Sequence, residues 1–224
     1  MLIHAFDPTD PMVCHNLSIR PIIMSPSYLA SVDQGVHAIH KRVEDLSLDA
    51  VREGQFRSAL TPRARVFMLG FMLSRRMTIT DGYGSQREFG DQDRLIRIYD
   101  VELKMEEVRR RVAPAAPSRL GCIWVAEEGS ASREMLMMMF GAARHIVSVG
   151  IVHSINSLRA DASLYDRFAQ TGNLSAAELY WQGYELDGRW EILLDGAIHV
   201  TKDDELQVLL QDCRDVGHCL PSPA

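Results

Sequence analysis

The stretch that most constrains the fold runs from Gln92 to Ala126. Leu95, Ile98, Val101, Met105, Val108 and Val112 recur every three to four residues, the spacing of one helix face. Asp91 and Asp93 open this segment and Arg109, Arg110 and Arg111 close it, which matches the polarity of a helix dipole. Glu106–Arg110 and Glu107–Arg111 are i,i+4 pairs in the favourable order. Pro114 and Pro117 then stop the helix. The apolar run Leu120-Gly-Cys-Ile-Trp-Val-Ala126 follows, too short for a helix and suited to a strand covered on both faces. The triple arginine reads either as a solvated helix end or as a patch for an anionic partner.

The other elements are placed around this unit. Leu2–Phe6 reads as a short first strand. Residues 7–34, with Pro8, Pro11, Pro21 and Pro26, read as a loop-heavy excursion. A weakly periodic helix is expected over Val36–Leu48. Another starts at Thr61-Pro62, a cap hydroxyl followed by a proline at the first helical position. Gly82, Gly84 and Gly90 mark a loop. A helix over Ser132–Arg144, with Met137–Met139 as core filler, precedes a buried strand over His145–Val152. Helices follow near Ala162–Ala169 and Ser175–Gln182, the second opening with the capping box Ser175-Ala-Ala-Glu178. Trp190–Leu194, Asp195-Gly196 and Ala197–Val200 read as a β-hairpin with a type I′ turn. A last helix starts at Thr201. Strands and helices do not alternate regularly, so the expected class is α+β, in a single domain over 1–224.

A chain of 224 residues with net charge −6 does not suit a sequence-independent grip on nucleic acid, although a local basic patch would suffice for one. Four cysteines without a CxxC pair read as free thiols in a reducing compartment. A zinc site from Cys14, His15, His218 and Cys219 is the alternative, opposed by the difficulty of bringing adjacent Cys and His side chains to one ion. The N-terminus lacks the basic and long apolar regions of a Sec signal, and no apolar run spans a bilayer. The expected location is the cytoplasm, or a target cell reached by a non-Sec route, with no membrane partner. His37 and His40 read as surface residues.

No phosphate loop, dinucleotide fingerprint, HExxH or nucleophile elbow is present. Single residues carry the remaining chemistry. Glu191 opens an apolar strand, and reads either as a solvated strand end or as a carboxylate in a cleft. Ser118 and Arg119 stand at the entrance of another strand, where arginine suits phosphate or carboxylate. Alternatively, Arg119 is a loop arginine paired with Glu127 or Asp161. His4 sits in the first strand, either as a core residue or as a ligand contact.

The motifs Glu106-x-Val108-Arg109, Pro117-Ser118-Arg119, Tyr180-Trp181-x-Gly183 and Glu191-x-Leu193, in that order, resemble an uncharacterised bacterial domain family over roughly residues 90–201. That family is similar in layout to the ADP-ribosyltransferase superfamily. The resemblance implies an ADP-ribosyltransferase-like split β core with surrounding helices, about residues 90–201 plus strand 2–6, that takes NAD as substrate. It implies Glu191 as the catalytic carboxylate and His4 as a cofactor contact. The middle position is left among Ser118, Arg119 and Trp124. Arg119 would hold the pyrophosphate, and Trp124 or Tyr83 would stack on a base. A carboxylate on the ribose 2′-OH tightens its hold as oxocarbenium charge develops. Arg189 stands two residues before Glu191, where many toxin members carry Gln or Glu, and this turns the expectation away from an arginine acceptor. The acceptor would be a macromolecule, protein or nucleic acid, and the chain a bacterial effector or toxin. The alternative is a non-catalytic module that binds a macromolecule on the same core.

Overall fold

The fold is described from a computed structural model, over residues 1–32, 42–55, 61–80, 89–140 and 145–215. The long helix forms over the expected residues, Gln92–Val112 (α5), with Asp91 accepting from the Arg94 N–H as its cap. Helix Pro62–Ser74 (α4) starts under the Thr61 hydroxyl, which accepts from the Ala64 N–H. The remaining helices are Pro11–Ile19 (α1), Pro26–Val32 (α2), Leu48–Arg52 (α3), Ser130–Phe140 (α6), Ala162–Thr171 (α7), Leu174–Trp181 (α8) and Asp203–Asp215 (α9). Strands Leu2–Phe6 (β1), Ile22–Met24 (β2), Ile123–Glu127 (β3), His145–Asp161 (β4) and Trp190–Val200 (β5) make one antiparallel sheet of order β2-β5-β3-β1-β4. The class is α+β.

Two long strands organise the sheet. β4 pairs with β1 from His145 to Val149, then continues along β5 from Val149 to Asp161. β5 has a partner on both edges: β4 on one, and β3 followed by β2 on the other. The β1–β3, β3–β5, β5–β4 and β4–β1 ladders therefore close a ring. This arrangement corrects the expected hairpin. Asp195-Gly196 is not a turn but the middle of the eleven-residue β5. Gly196 stands beside a register irregularity of β4, and a Cβ there would lie 2.1 Å from the His153 carbonyl oxygen. Glycine serves a close backbone approach at a bulge, which from sequence looks the same as a turn signal. The strand expected to end at Val152 likewise runs on to Asp161.

Register sets the two faces. Trp124 lies opposite Leu193, and Ile3 opposite Ala126. Cys122, Trp124 and Leu193 pack under α5, α7 and α8 against Met105, Leu164, Phe168 and Trp181. The Trp181 indole N–H donates to the Met105 carbonyl at 2.9 Å. On the other face Ile123, Val125, Leu194 and Ile198 pack with Phe6, Leu17 and Leu209. A side cluster of Phe67, Tyr99, Val51 and Leu120 joins α4 to α5.

Several further expectations are corrected. Residues 7–34 hold α1, β2 and α2, because Pro11 and Pro26 are the first residues of helices and so cost no hydrogen bond there. Cys14 and Cys213 form a disulfide between α1 and α9, which corrects the free-thiol reading for those two and takes Cys14 out of the zinc alternative; Cys122 is a free, buried thiol, and His218 and Cys219 lie outside the described residues. The cap of α8 is Asn173, accepting from Ser175 N–H, rather than the Ser175 box. Of the helix expected over 36–48, residues 43–45 form a 3-10 turn and residues 33–41, with His37 and His40, lie outside the described residues.

Candidate functional site

Helix α5 carries Glu102, Glu106 and Arg109 at i, i+4 and i+7, on a face buried against the domain. Burial makes each charge costly unless it is paired, and each is. Glu106 accepts two bonds from Arg109, at 2.7 and 2.8 Å, one from Arg110 at 2.7 Å, and one from the Ser118 hydroxyl at 3.0 Å. Arg109 also donates to the carbonyls of Pro114 and Ala116. Ser118 N–H donates to Glu44 at 2.8 Å. The arginines at the helix end are thus neither a free patch nor a wholly solvated terminus: Arg109 is buried, Arg110 is bound to Glu106 and to the carbonyls of Leu46 and Val43, and Arg111 pairs with Glu178.

One turn earlier, Glu102 meets the next residue of the Pro-Ser-Arg turn. Arg119 Nε lies 3.1 Å from a Glu102 carboxylate oxygen, and its Nη1 donates to Glu191 at 2.8 Å and to the Tyr180 hydroxyl. Tyr180 in turn donates to the same Glu191 oxygen. The guanidinium lies 4.1 Å from the Trp124 ring centre and 4.0 Å from that of Tyr165. Arg63, from the first turn of α4, is 2.7 Å from Glu102 and donates to the Tyr165 hydroxyl at 2.9 Å. Two cations and two carboxylates therefore balance in a buried pocket walled by aromatic rings. Arg119 pairs with neither Glu127 nor Asp161: Glu127 is bound by Arg159, and Asp161 accepts from backbone N–H groups. Glu191 is 2% exposed, so it is no solvated strand end.

The two carboxylates are pushed apart. Burial raises the Glu191 carboxyl above its ordinary range, against the pull of Arg119 and the Tyr180 bond. Burial acts on Glu102 too, but Arg119 and Arg63 outweigh it and hold that carboxyl below its range. Burial, together with Glu191, lifts the Tyr180 hydroxyl well above the ordinary tyrosine value despite Arg119, which keeps it a donor. Burial likewise keeps Cys122 a thiol.

Beside this cluster lies a cavity of about 180 Å³. Its wall includes His4, Phe6, Asp10, Arg63, Cys122 and Trp124. The His4 Nδ1–H donates to the Trp124 carbonyl at 2.6 Å, which leaves Nε2 as the lone-pair nitrogen. Burial lowers its pKa to about 4, against the pull of that bond, so the ring is neutral at pH 7.

The structure brings some of the expected residues together and separates others. Arg119, Trp124 and Glu191 meet. Ser118 is fully buried and clamps Glu106 to the turn. Ile3, Trp124, Leu193 and Glu191 share a face of the sheet by register, so His4, one residue after Ile3, points to the opposite face from Glu191. Trp124 and Arg63 connect the two places. Tyr83 lies outside the described residues. Tyr180, from the Tyr-Trp-x-Gly motif, joins the cluster, and Glu102, Arg63 and Tyr165 complete it without having been singled out in sequence. Glu102 did leave a signal, as a charge one turn from Met105 and Glu106 on the side of α5 that carries Tyr99. Among the described residues no group of His, Cys, Asp or Glu is arranged to hold a metal ion, and no helix is long and apolar enough to cross a membrane.

The four sequence motifs converge here. Glu106 and Arg109, Ser118 and Arg119, Tyr180 and Trp181, and Glu191 and Leu193 form one contiguous buried assembly between α5, α8 and the β3–β5 ladder. No match to a curated protein is found. The family profile described as "Protein of unknown function (DUF2441)" matches residues 84–206, the stretch that holds all four motifs, and the chain belongs to that family.

Proposed function

We propose that this chain is an ADP-ribosyltransferase-like enzyme that cleaves the nicotinamide–ribose bond of NAD and transfers ADP-ribose to a macromolecular acceptor, protein or nucleic acid. The observation that supports this reading is the placement of His4, Trp124 and Glu191 on β1, β3 and β5, three successive hydrogen-bonded strands. That is the distribution the family resemblance implies for a cofactor contact, an aromatic wall and a catalytic carboxylate. Cofactor would enter through the cavity at His4 and Trp124. Glu191 would act once Tyr180 and Arg119 yield it to the ribose 2′-OH, its negative charge opposing the oxocarbenium charge of the transition state. Arg189, bound to Asp166 at 2.7 Å, keeps a cation near the acceptor side and disfavours an arginine acceptor.

A second reading is favoured by two observations. Glu191 is already satisfied and buried, on the face opposite His4, and about 180 Å³ is less than the ~300–1,000 Å³ of typical small-molecule sites. On that reading the core is a non-catalytic module that binds a macromolecule. Calorimetric titration with NAD separates the two. The enzyme reading expects saturable binding that is weakened at least about tenfold, ~1.4 kcal/mol, by Trp124→Ala in a variant that stays folded. No heat of binding at millimolar NAD favours the module.

A further inference from the structure

Helix α1 has nine residues, including Val13, Asn16 and Ser18, and none of its residues is acidic in the first turn or basic in the last. Such a segment is too short and too poor in helix formers to hold its shape alone. It is nevertheless part of a wall: Val13 and Asn16 line the cavity beside His4. Leu17 inserts into the core, Val13 packs against the same cluster, and Cys14 is bonded to Cys213, 199 residues away near the end of α9. Helix α9 is anchored to the sheet face by Leu206, Leu209 and Leu210. The disulfide thus fastens this short wall helix to one held on the sheet face by three leucines.

We propose that the Cys14–Cys213 disulfide is a redox latch on the cavity. The oxidised chain keeps α1 seated as its wall, and two-electron reduction by a dithiol releases α1 and opens that side. The exchange balances: the dithiol gives up two electrons and two protons to become a cyclic disulfide, and Cys14 and Cys213 each become a thiol. Both half-cystines are fully buried, so the reductant reaches them through fluctuations of α1 rather than in the folded ground state. The latch would be closed in an oxidising compartment and open in a reducing cytosol. This inference stands on the cavity wall and does not depend on NAD being the ligand.

The test is amide hydrogen exchange of the full chain, oxidised and after treatment with dithiothreitol, with Cys14→Ser/Cys213→Ser as a reductant-free equivalent. Peptide mapping after alkylation first establishes the bond. Exchange across residues 11–19 is expected to accelerate at least about tenfold on reduction and in the double variant, while β3 and β5 stay protected. Three results would each overturn the proposal: Cys14 and Cys213 alkylating as free thiols before reduction, unchanged exchange across 11–19, or equal acceleration throughout the sheet. The last would make the bond a staple of the whole fold rather than a latch.

Discussion

Replacing Arg119 by methionine tests the buried cluster most sharply. Methionine keeps an apolar stem for the contacts with Trp124 and Tyr165 and removes the cation. Glu102 and Glu191, at 1% and 2% exposure, are then left, among the described residues, with Arg63 as the one guanidinium in the cluster. Breaking a buried ion pair from one side costs about 3–5 kcal/mol, since the remaining charge has lost its compensation. For a chain of this length that is a fall in Tm of about 6–20 °C. Urea unfolding followed by fluorescence of Trp124, Trp181 and Trp190 measures it directly. Two further results are required. Arg119→Met/Glu191→Gln restores charge balance, so it should recover about 1–3 kcal/mol of the loss rather than add to it. Glu191 also carries a raised pKa, so its contribution is present below the ordinary carboxyl value of 4.5 and is lost as pH rises through the raised one. Without Arg119 that value rises further, and the deficit should shrink as pH is lowered from 7 toward 5. A single variant that costs under about 1 kcal/mol, as an exposed pair does, would show that the buried charges do not depend on Arg119, as would strictly additive losses in the double variant.

Other residues give independent checks. Asp161 caps α7 and accepts from the N–H groups of Leu186, Asp187 and Gly188, each at 2.8 Å; Asp161→Asn should cost about 2–3 kcal/mol at pH 7. Burial pushes that carboxyl up but the backbone donors outweigh it, so its contribution is present above the ordinary 3.8 and is lost as pH falls through the lowered value, where the two proteins should converge. His4 takes up a proton more readily unfolded than folded. Stability should therefore fall as pH drops from about 6.5 to about 4, by up to about 3 kcal/mol, and His4→Gln should flatten that slope in urea titrations. At Gly70 a Cβ would lie 2.3 Å from the Leu95 carbonyl oxygen, so Gly70→Ala should lower stability by about 1–3 kcal/mol despite alanine's better helix propensity; a higher Tm would contradict the close packing of α4 on α5.

What the sequence made legible was what local chemistry decides. The period of α5 and the Thr61 cap each carry their own structure and form where the pattern places them, and the apolar run Leu120–Ala126 does form a strand, though from Ile123 to Glu127. What it concealed was decided by partners far along the chain. Asp195-Gly196 looks like a turn until β4 is laid against it. Cys14 has no local reason to seek Cys213. Arg119 could be recognised as a residue for an anion, yet its partners come from Glu102, seventeen residues before it, and Glu191, seventy-two after it. Pro11 and Pro26 were misleading for a different reason: proline forbids a helix interior but suits its first residue, and two short helices begin there.

The proposed role of Glu191 is tested by nicotinamide release from NAD by the purified protein and by Glu191→Gln, with cell lysate present and absent. Thermal melts of both proteins establish that each is folded at the assay temperature. Release by the native chain is expected, with a rise when lysate supplies an acceptor and a loss of at least about a hundredfold in the folded variant, equivalent to ~2.7 kcal/mol of transition-state stabilisation. Equal release by both folded proteins would remove Glu191 from the chemistry. No release by either, in lysate or out of it, would contradict the enzyme reading and leave the core as a binding module.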